Sequence, residues 1–445
     1  MNKNLKWIDE INTKIFAALS IFALSIVSTI VINPDNSGVT KVKSYPATVC
    51  PANLSNGTST SVLPSSKILV RQIPTKNNKL ARAKTSFYLS SLPLLVDGNF
   101  ESSINVTRSK SASLATVVCS ISSGDQWFVG GSGTVSSRAS IEIINSGLST
   151  SVVDLIVYTS SSVSSVISKR INRNSSKRIY LDSLAPGEDS IVIHSITRSG
   201  RVTTFVHDQR ERGISSLGAD FVSQGADPSN RVVIPAISNV KLVDKKATQT
   251  LRILVPGKVD ANVRAKIVSS DGSFIPIGLD NISVNAGKVL DVQFNPVLQA
   301  RNFSLVLTAD RPIVAAVKSS RTINGGTEFA WSTSVAEFKD VSLHLGGLNP
   351  DVVFQGKNIE VDVQWVDKNR KLYSKTIRST DGEEWALWHP KNGVLRASFS
   401  TASSQIYGGI IFKERVGLSY LPVVAGAELE SAAVPNPDAR IISRQ

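Results

Sequence analysis

The sequence of 445 residues is poor in the side chains that do most enzyme and metal chemistry. It has two cysteines, four histidines, one methionine and 6% aromatics. There is no C-x-x-C and no H-x-x-x-H, so the usual zinc-ligand spacings are missing. No histidine precedes His194, so neither Cys50 nor Cys119 has one nearby in sequence to activate a thiolate. Acid is also scarce: 35 Asp and Glu stand against 49 Lys and Arg, a net charge of +14. A basic balance suits nucleic acid, an anionic membrane surface or an acidic polymer, and compartment decides among them. Long amphipathic helical repeats are missing too. What fills the space is Val, Ile, Ser and Thr, the composition of strands and turns.

The one long apolar run is Ile15 to Ile32, IFAALSIFALSIVSTIVI, eighteen uncharged residues. That is near the roughly 17–25 needed to cross a bilayer as a helix. Lys3, Lys6 and Lys14 precede it, and Asn33, Pro34 and Asp35 end it. The lysine bias predicts a signal anchor over 15–32 with a cytoplasmic N-terminus over 1–14 and everything beyond outside. A cleaved signal peptide is the rival; neither STIVIN nor NPDNSG offers a clean small-x-small site. The expected location is therefore the cell membrane, single-pass, with the C-terminal domains extracytoplasmic. Two exported cysteines predict one disulfide, Cys50–Cys119, and the loop it closes makes it worth about 4 kcal/mol in the chain-entropy model.

From about residue 139 a pattern recurs. Ser140 to Tyr158 and Thr250 to Val268 each place a strand, a glycine turn (Gly147, Gly257) and a second strand. Each copy continues with an apolar strand, a Pro-bearing turn and two strands joined at RSGR or ADRP. A weaker third copy follows. The period is about 90–110 residues, near the size of one sandwich domain. The fold expectation is all-β: tandem immunoglobulin-like β-sandwiches behind one N-terminal transmembrane helix. The predicted boundaries are 33–133 for a disulfide-stapled β region with linker, 134–225, 226–335 and 336–424 for three sandwiches, and 425–445 for a tail.

The order of several short motifs resembles an uncharacterised actinobacterial family of exported, membrane-anchored proteins, domain of unknown function 5719. The resembling residues are Cys50–Pro51, Cys119 with Trp127 and GGSG after it, SLAPG at 183–187, RVVIPAI at 231–237, LVPG at 254–257, TADRPIVA at 308–315 and EFAWS at 328–332. The resemblance implies a cell-envelope location. It implies no activity and no catalytic residues.

Candidate sites are few. VVCSISSGDQWFVGGSG, Val117 to Gly133, has the glycines of a phosphate cradle, but a strand pattern follows where a cradle needs a helix. It reads as a structural turn. His207–Asp208 with Ser215–Ser216 lacks the G-x-S-x-G elbow, which leaves a wall-polymer hydrolase as the weakest reading. In DGEEWALWHP, Trp385 and Trp388 beside Glu384 and His389 form the densest aromatic-acidic cluster. It reads either as a glycan-stacking face or as core aromatics. Lys67, Arg71, Lys76, Lys79, Arg82 and Lys84 run without an intervening acid, a candidate contact for anionic wall polymer or lipid. Edge-strand lysines that block aggregation are the plain alternative. No cofactor, metal or nucleic-acid motif is expected. The functional expectation is a non-catalytic, membrane-anchored envelope protein that binds or scaffolds. Carbohydrate or wall-polymer binding, or adhesion, is the alternative.

Overall fold

The computed structural model describes residues 41–44, 47–52, 58–62, 68–75, 79–84, 87–88, 91–98, 104–109, 113–162, 166–213, 215–323, 325–415, 417–424 and 429–432, together with Leu19. The apolar segment 15–32 otherwise lies outside them. Among the described residues no helix is long and apolar enough to cross a membrane. The chain forms two compact units: Tyr45–Glu428, and a small one made of Met1–Ser44 with Leu429–Gln445. In the small unit Lys41–Ser44 pairs antiparallel with Leu429–Ala432.

The large unit is all-β. Its strands fall into four sets that follow one another along the chain, from Thr48 to Val118, Asp125 to Val222, Ser229 to Thr333 and Asp340 to Val423. The first, second and fourth sets each build two four-stranded antiparallel sheets. In all three, one sheet has the order first–sixth–third–fourth and the other fifth–second–seventh–eighth. The third set has the same pairings. There the sixth and seventh strands are one continuous 22-residue strand, Asn302–Ile323, which serves one sheet with its first half and the other with its second. In the second set Gly200, at φ +85, turns the chain at the equivalent point. The third set has no glycine at ADRP, and the strand runs through.

Two boundaries expected from the sequence differ in the structure. The region read as a separate β layer, 33–133, contains a fourth copy of the repeat. Asp125–Val129, assigned to that region, pairs with Ile191–Ser199 and opens the second set. The first copy is hard to see because its fourth and fifth strands, Ala81–Arg82 and Phe87–Tyr88, are two residues each, too short to show alternation.

Each set buries its own core between its sheets. The first is small, with Val62, Ile68, Val70, Leu94 and Val96 around the Cys50–Cys119 disulfide. The others are Val-, Ile- and Leu-rich, as expected where both sheets turn an apolar face inward. Further apolar clusters lie at the seams. Ala115 and Val117 pack with Ile144, Phe205 and Phe221 between the first and second sets. Phe329 and Trp331 of the third set pack with the core of the second. Ala236 and Ala330 meet Ile411, Leu418 and Tyr420 between the third and fourth. Val106 and Leu114 of the first set enter the core of the fourth. The seams thus form a closed circuit of four.

Candidate functional site

The circuit closes through the last strand of each set: Ser113–Val118, Ser215–Val222, Gly326–Thr333 and Gly417–Val423. Each packs against the next, and the fourth against the first. The approaches are close enough to require glycine at two points. A Cβ on Gly417 would stand 2.5 Å from the Leu114 backbone nitrogen. Gly218 adopts φ +99, and a Cβ there would stand 3.0 Å from Glu328 Cα.

At their meeting point lies Asp220, fully buried. Its carboxyl accepts the Trp331 backbone N–H at 3.0 Å and the Ser419 hydroxyl at 2.6 Å. Ser419 Oγ also accepts the Thr116 backbone N–H at 2.9 Å and lies 2.8 Å from Thr116 Oγ1. One carboxyl therefore gathers groups from all four last strands. Burial pushes Asp220 well above the usual carboxylate range, against the pull of these hydrogen bonds. Tyr420 adds a bond from its hydroxyl to the Thr333 carbonyl, 3.1 Å.

Trp331 links this junction to an ionic seam between the second and third sets. Its Nε1 donates to Asp208 at 3.0 Å, and Arg210 holds the same carboxylate at 2.8 Å through Nε. Burial alone would raise Asp208. The charges of Arg210 and Lys318, with hydrogen bonds from Arg210 and Trp331, outweigh it and bring the group down to about 2. Arg252 grips Asp291 with two 2.8 Å bonds, caps the Gly131 carbonyl at 2.9 Å and lies over the Trp331 ring. Lys318 Nζ stands 4.4 Å over the Phe329 ring. Burial first, then the charge of Arg210, lowers Lys318 to about 8.

Just past the ends of the four last strands is a cavity of about 410 Å³. Its walls come from 117–123, 223–227, 336–337, Pro422 and Val424, so every set contributes. The polar groups are Ser120, Ser122, Ser123, Ser223, Gln224 and the carboxylates of Asp227 and Glu337. Gln126 Nε2 donates to Gln224 Oε1 at 2.9 Å. The Ser223 residue is buried and its Oγ has no hydrogen-bond partner. Such a group is uncommon enough in folded proteins to need an explanation. Seven of the seventeen residues from Val117 to Gly133 thus line this cavity. Two of its glycines sit in close contacts elsewhere. Gly130 backs onto Val222 and Trp331, and a Cβ on Gly133 would collide with the Ala185 carbonyl, in the SLAPG segment.

The residues singled out in the sequence fare unevenly. Cys50–Cys119 is a disulfide, and Cys119 also lies on the cavity wall. Trp388 is buried in the fourth core, edge-on to Trp365 at 5.1 Å and to Phe399 at 5.7 Å. Trp385 is half-buried between the third and fourth sets beside Tyr407, with Nε1 unpartnered. Glu384 pairs with Lys266 at 2.6 Å and His389 with Asp351 at 2.6 Å. The glycan-stacking face read from this cluster is not assembled, because a three-residue spacing on a strand sends the two indoles to opposite faces. Of the basic run, Lys67 and Lys76 lie outside the described residues. Arg71 is half-buried and tied to Asn174 and the Ser146 carbonyl of the second set. Lys79, Arg82 and Lys84 are exposed. His207 is buried edge-on to Phe221, while Ser215 pairs with Arg212 at the far end of the same hairpin, so the hydrolase fragment does not come together either. Asp220, Arg252 and Ser223 escaped the sequence reading, and Asp208 entered it only as part of the hydrolase fragment. Their signal was an ionisable or polar residue inside an apolar strand, as in LGADFVS and TLRIL.

Residues 97–378 match a family of unknown function, DUF5719. The chain belongs to this family. The matched stretch opens inside the first DUF5719 strand set and closes inside the fourth, so it contains the second and third sets whole and with them the ionic seam. EFAWS, one of the resembling motifs, is the strand that carries Trp331. No curated protein matches the chain. Two solved structures are similar to parts of it. The crystal structure of Thermotoga maritima 1070 aligns at 13% identity and TM-score 0.21, covering 25% of this chain and 96% of that one. A tetra-tandem repeat from the extending region of a large adhesion protein aligns at 11% identity and TM-score 0.13, covering 88% of this chain and 100% of that one.

Proposed function

We propose that this DUF5719 chain is a non-catalytic binding protein of the cell envelope. Residues 15–32 hold it in the membrane, and four immunoglobulin-like sandwiches outside form a rigid frame around one ligand site, the cavity at the end of the last strands. The observation that carries the reading is that all four sets wall one cavity of about 410 Å³. Pockets concentrate where structural units meet, and a frame closed on itself holds such a site with little reorganisation. Support for the location comes from the uncharged run at 15–32 and from the disulfide, which persists in oxidising compartments.

The test is a photo-crosslinking amino acid placed at Ser122, on the cavity wall, or at Leu148, exposed elsewhere on the second set, in the full chain in living cells. The reading expects a discrete crosslinked product from position 122 and none from 148. Equal labelling at both, or none at either, would remove the cavity as the site.

A further inference from the structure

We infer that two linked loops of the third set, 239–247 and 295–301, dock on an anionic lipid surface. The inference deepens the reading above and rests on its claim that the chain is held at a membrane. Three aliphatic side chains on these loops are exposed: Leu242 at 42%, Val243 at 66% and Val297 at 92%. The fold ties the loops to each other. Asn239 Nδ2 donates to the Leu298 carbonyl at 3.1 Å and to the Ala300 carbonyl at 2.9 Å, and its backbone N–H donates to the Arg301 carbonyl at 2.9 Å. A single 3-10 turn, Val240–Leu242, buries Val240 and leaves Leu242 and Val243 outside. Scattered exposed aliphatics are ordinary; three on hydrogen-bonded neighbouring loops are a feature of surfaces that meet something. The repeat does not need them. In the fourth set the same connection is Asn349 alone, and in the second it exposes only Val135 among large apolar residues.

The second observation is the charge on the same loops, which says what they meet. Lys241, Lys245 and Lys246 flank Leu242 and Val243, and Arg301 closes the second loop. Lys245, Lys246 and Arg301 are exposed. Asp244 is the one acid within the two loops, and its carboxylate is occupied: Oδ1 accepts the Lys246 backbone N–H at 2.9 Å and Oδ2 the Thr322 backbone N–H at 2.9 Å. Asp271, from the neighbouring hairpin, is likewise occupied by the backbone N–H groups of Gln299 and Ala300, at 2.6 and 2.9 Å. In the second set the cation of the equivalent connection, Arg138, is instead paired with Glu211 at 2.5 Å. Aliphatic side chains ringed by lysine and arginine match the boundary of an anionic bilayer. The aliphatics enter the headgroup region while the long cationic side chains reach the phosphates. A polyanion in water would use the cations and leave the aliphatics wet.

The test uses the full chain reconstituted in vesicles of phosphatidylcholine, alone or mixed with phosphatidylglycerol. Val243→Cys carries an environment-sensitive fluorophore that nitroxide-bearing lipids quench on contact. Leu148→Cys, exposed on the second set, carries the same label as the control. Quenching at 243 in the anionic vesicles, reversed by salt, is expected, with none at 148. Lys245→Ala with Lys246→Ala, both at exposed positions, should lower the ratio of docked to free label at least about tenfold. No quenching at 243, quenching that ignores lipid charge, or equal quenching at 148 would overturn the assignment. A blue shift at 243 without quenching would overturn it too and give the loops to a second copy of the chain. Flotation of the same samples separates the two readings. Chains that stay out of both vesicle types would overturn the membrane-held reading and this inference with it, whereas chains that float unquenched overturn this inference alone.

Discussion

Two seams of the circuit are built on different principles. Between the second and third sets lie Asp208, Arg210, Arg252, Asp291 and Lys318, buried or half-buried and bound around Trp331. Between the fourth and first sets, Leu114 and Val106 sit in an apolar core, and Gly417 lets two backbones touch. The second and third sets are consecutive in the chain, so their seam closes a short connection. The first set ends at Val118 and the fourth begins at Asp340, so residues 119–339 lie between them and their contact bears a larger closure entropy. A buried ion pair contributes geometry more than net stability. Apolar burial contributes stability directly. The seam with the longer connection is the one with the larger apolar core.

The largest expected effect breaks the ionic seam. Asp208→Ala leaves the buried Trp331 indole N–H without its acceptor and Arg210 with Asp189 alone, and should cost about 3–5 kcal/mol by denaturant unfolding. Gly417→Val attacks the apolar seam by placing side-chain atoms on the Leu114 backbone; a loss of about 3 kcal/mol is expected, with an unfolding transition that splits as the first set detaches. Loss of the Cys50–Cys119 disulfide, whose cysteines are 69 residues apart, should cost about 2–4 kcal/mol. That loss should appear as faster hydrogen exchange in the first set and leave the second–third seam unchanged.

The smallest effects are in pH. Asp208, at about 2, lends stability above the ordinary aspartate range that is lost as pH falls toward 2. His207 is buried and brought down to about 4, so its share is present above 6.5 and lost as pH falls from there toward 4. Asp220 has the opposite sign: burial raises it, so its share is full below about 3.8 and drains as pH climbs through its folded value. Asp220→Asn keeps the size and removes the charge. Its stability relative to the parent should improve progressively as pH rises above 4. A difference that stays flat with pH would mean that Asp220 is not raised.

The strand class, the disulfide and the repeat were legible in the sequence because alternation, turn glycines and cysteine count are local or countable signals. The fourth copy was not, because its strands of two residues carry no period. The cluster DGEEWALWHP left two readings open for a related reason: residues three apart face opposite ways on a strand, so Trp385 and Trp388 diverge and Trp388 takes the core reading. The cavity was invisible. Ser120, Ser223 and Glu337 are unremarkable loop residues separated by about a hundred positions each, and only closure of the circuit brings them together. Asp220 was there to be noticed as a charge inside LGADFVS, but its partners Thr116, Trp331 and Ser419 are on three other strands.

That closure is most directly tested by the pair Thr116→Cys with Ser419→Cys, whose parent hydroxyls stand 2.8 Å apart across the seam between the first and fourth sets. The account predicts that the folded double variant yields, after oxidation and digestion, a disulfide-linked peptide joining positions 116 and 419. A folded variant in which both thiols stay free would contradict it.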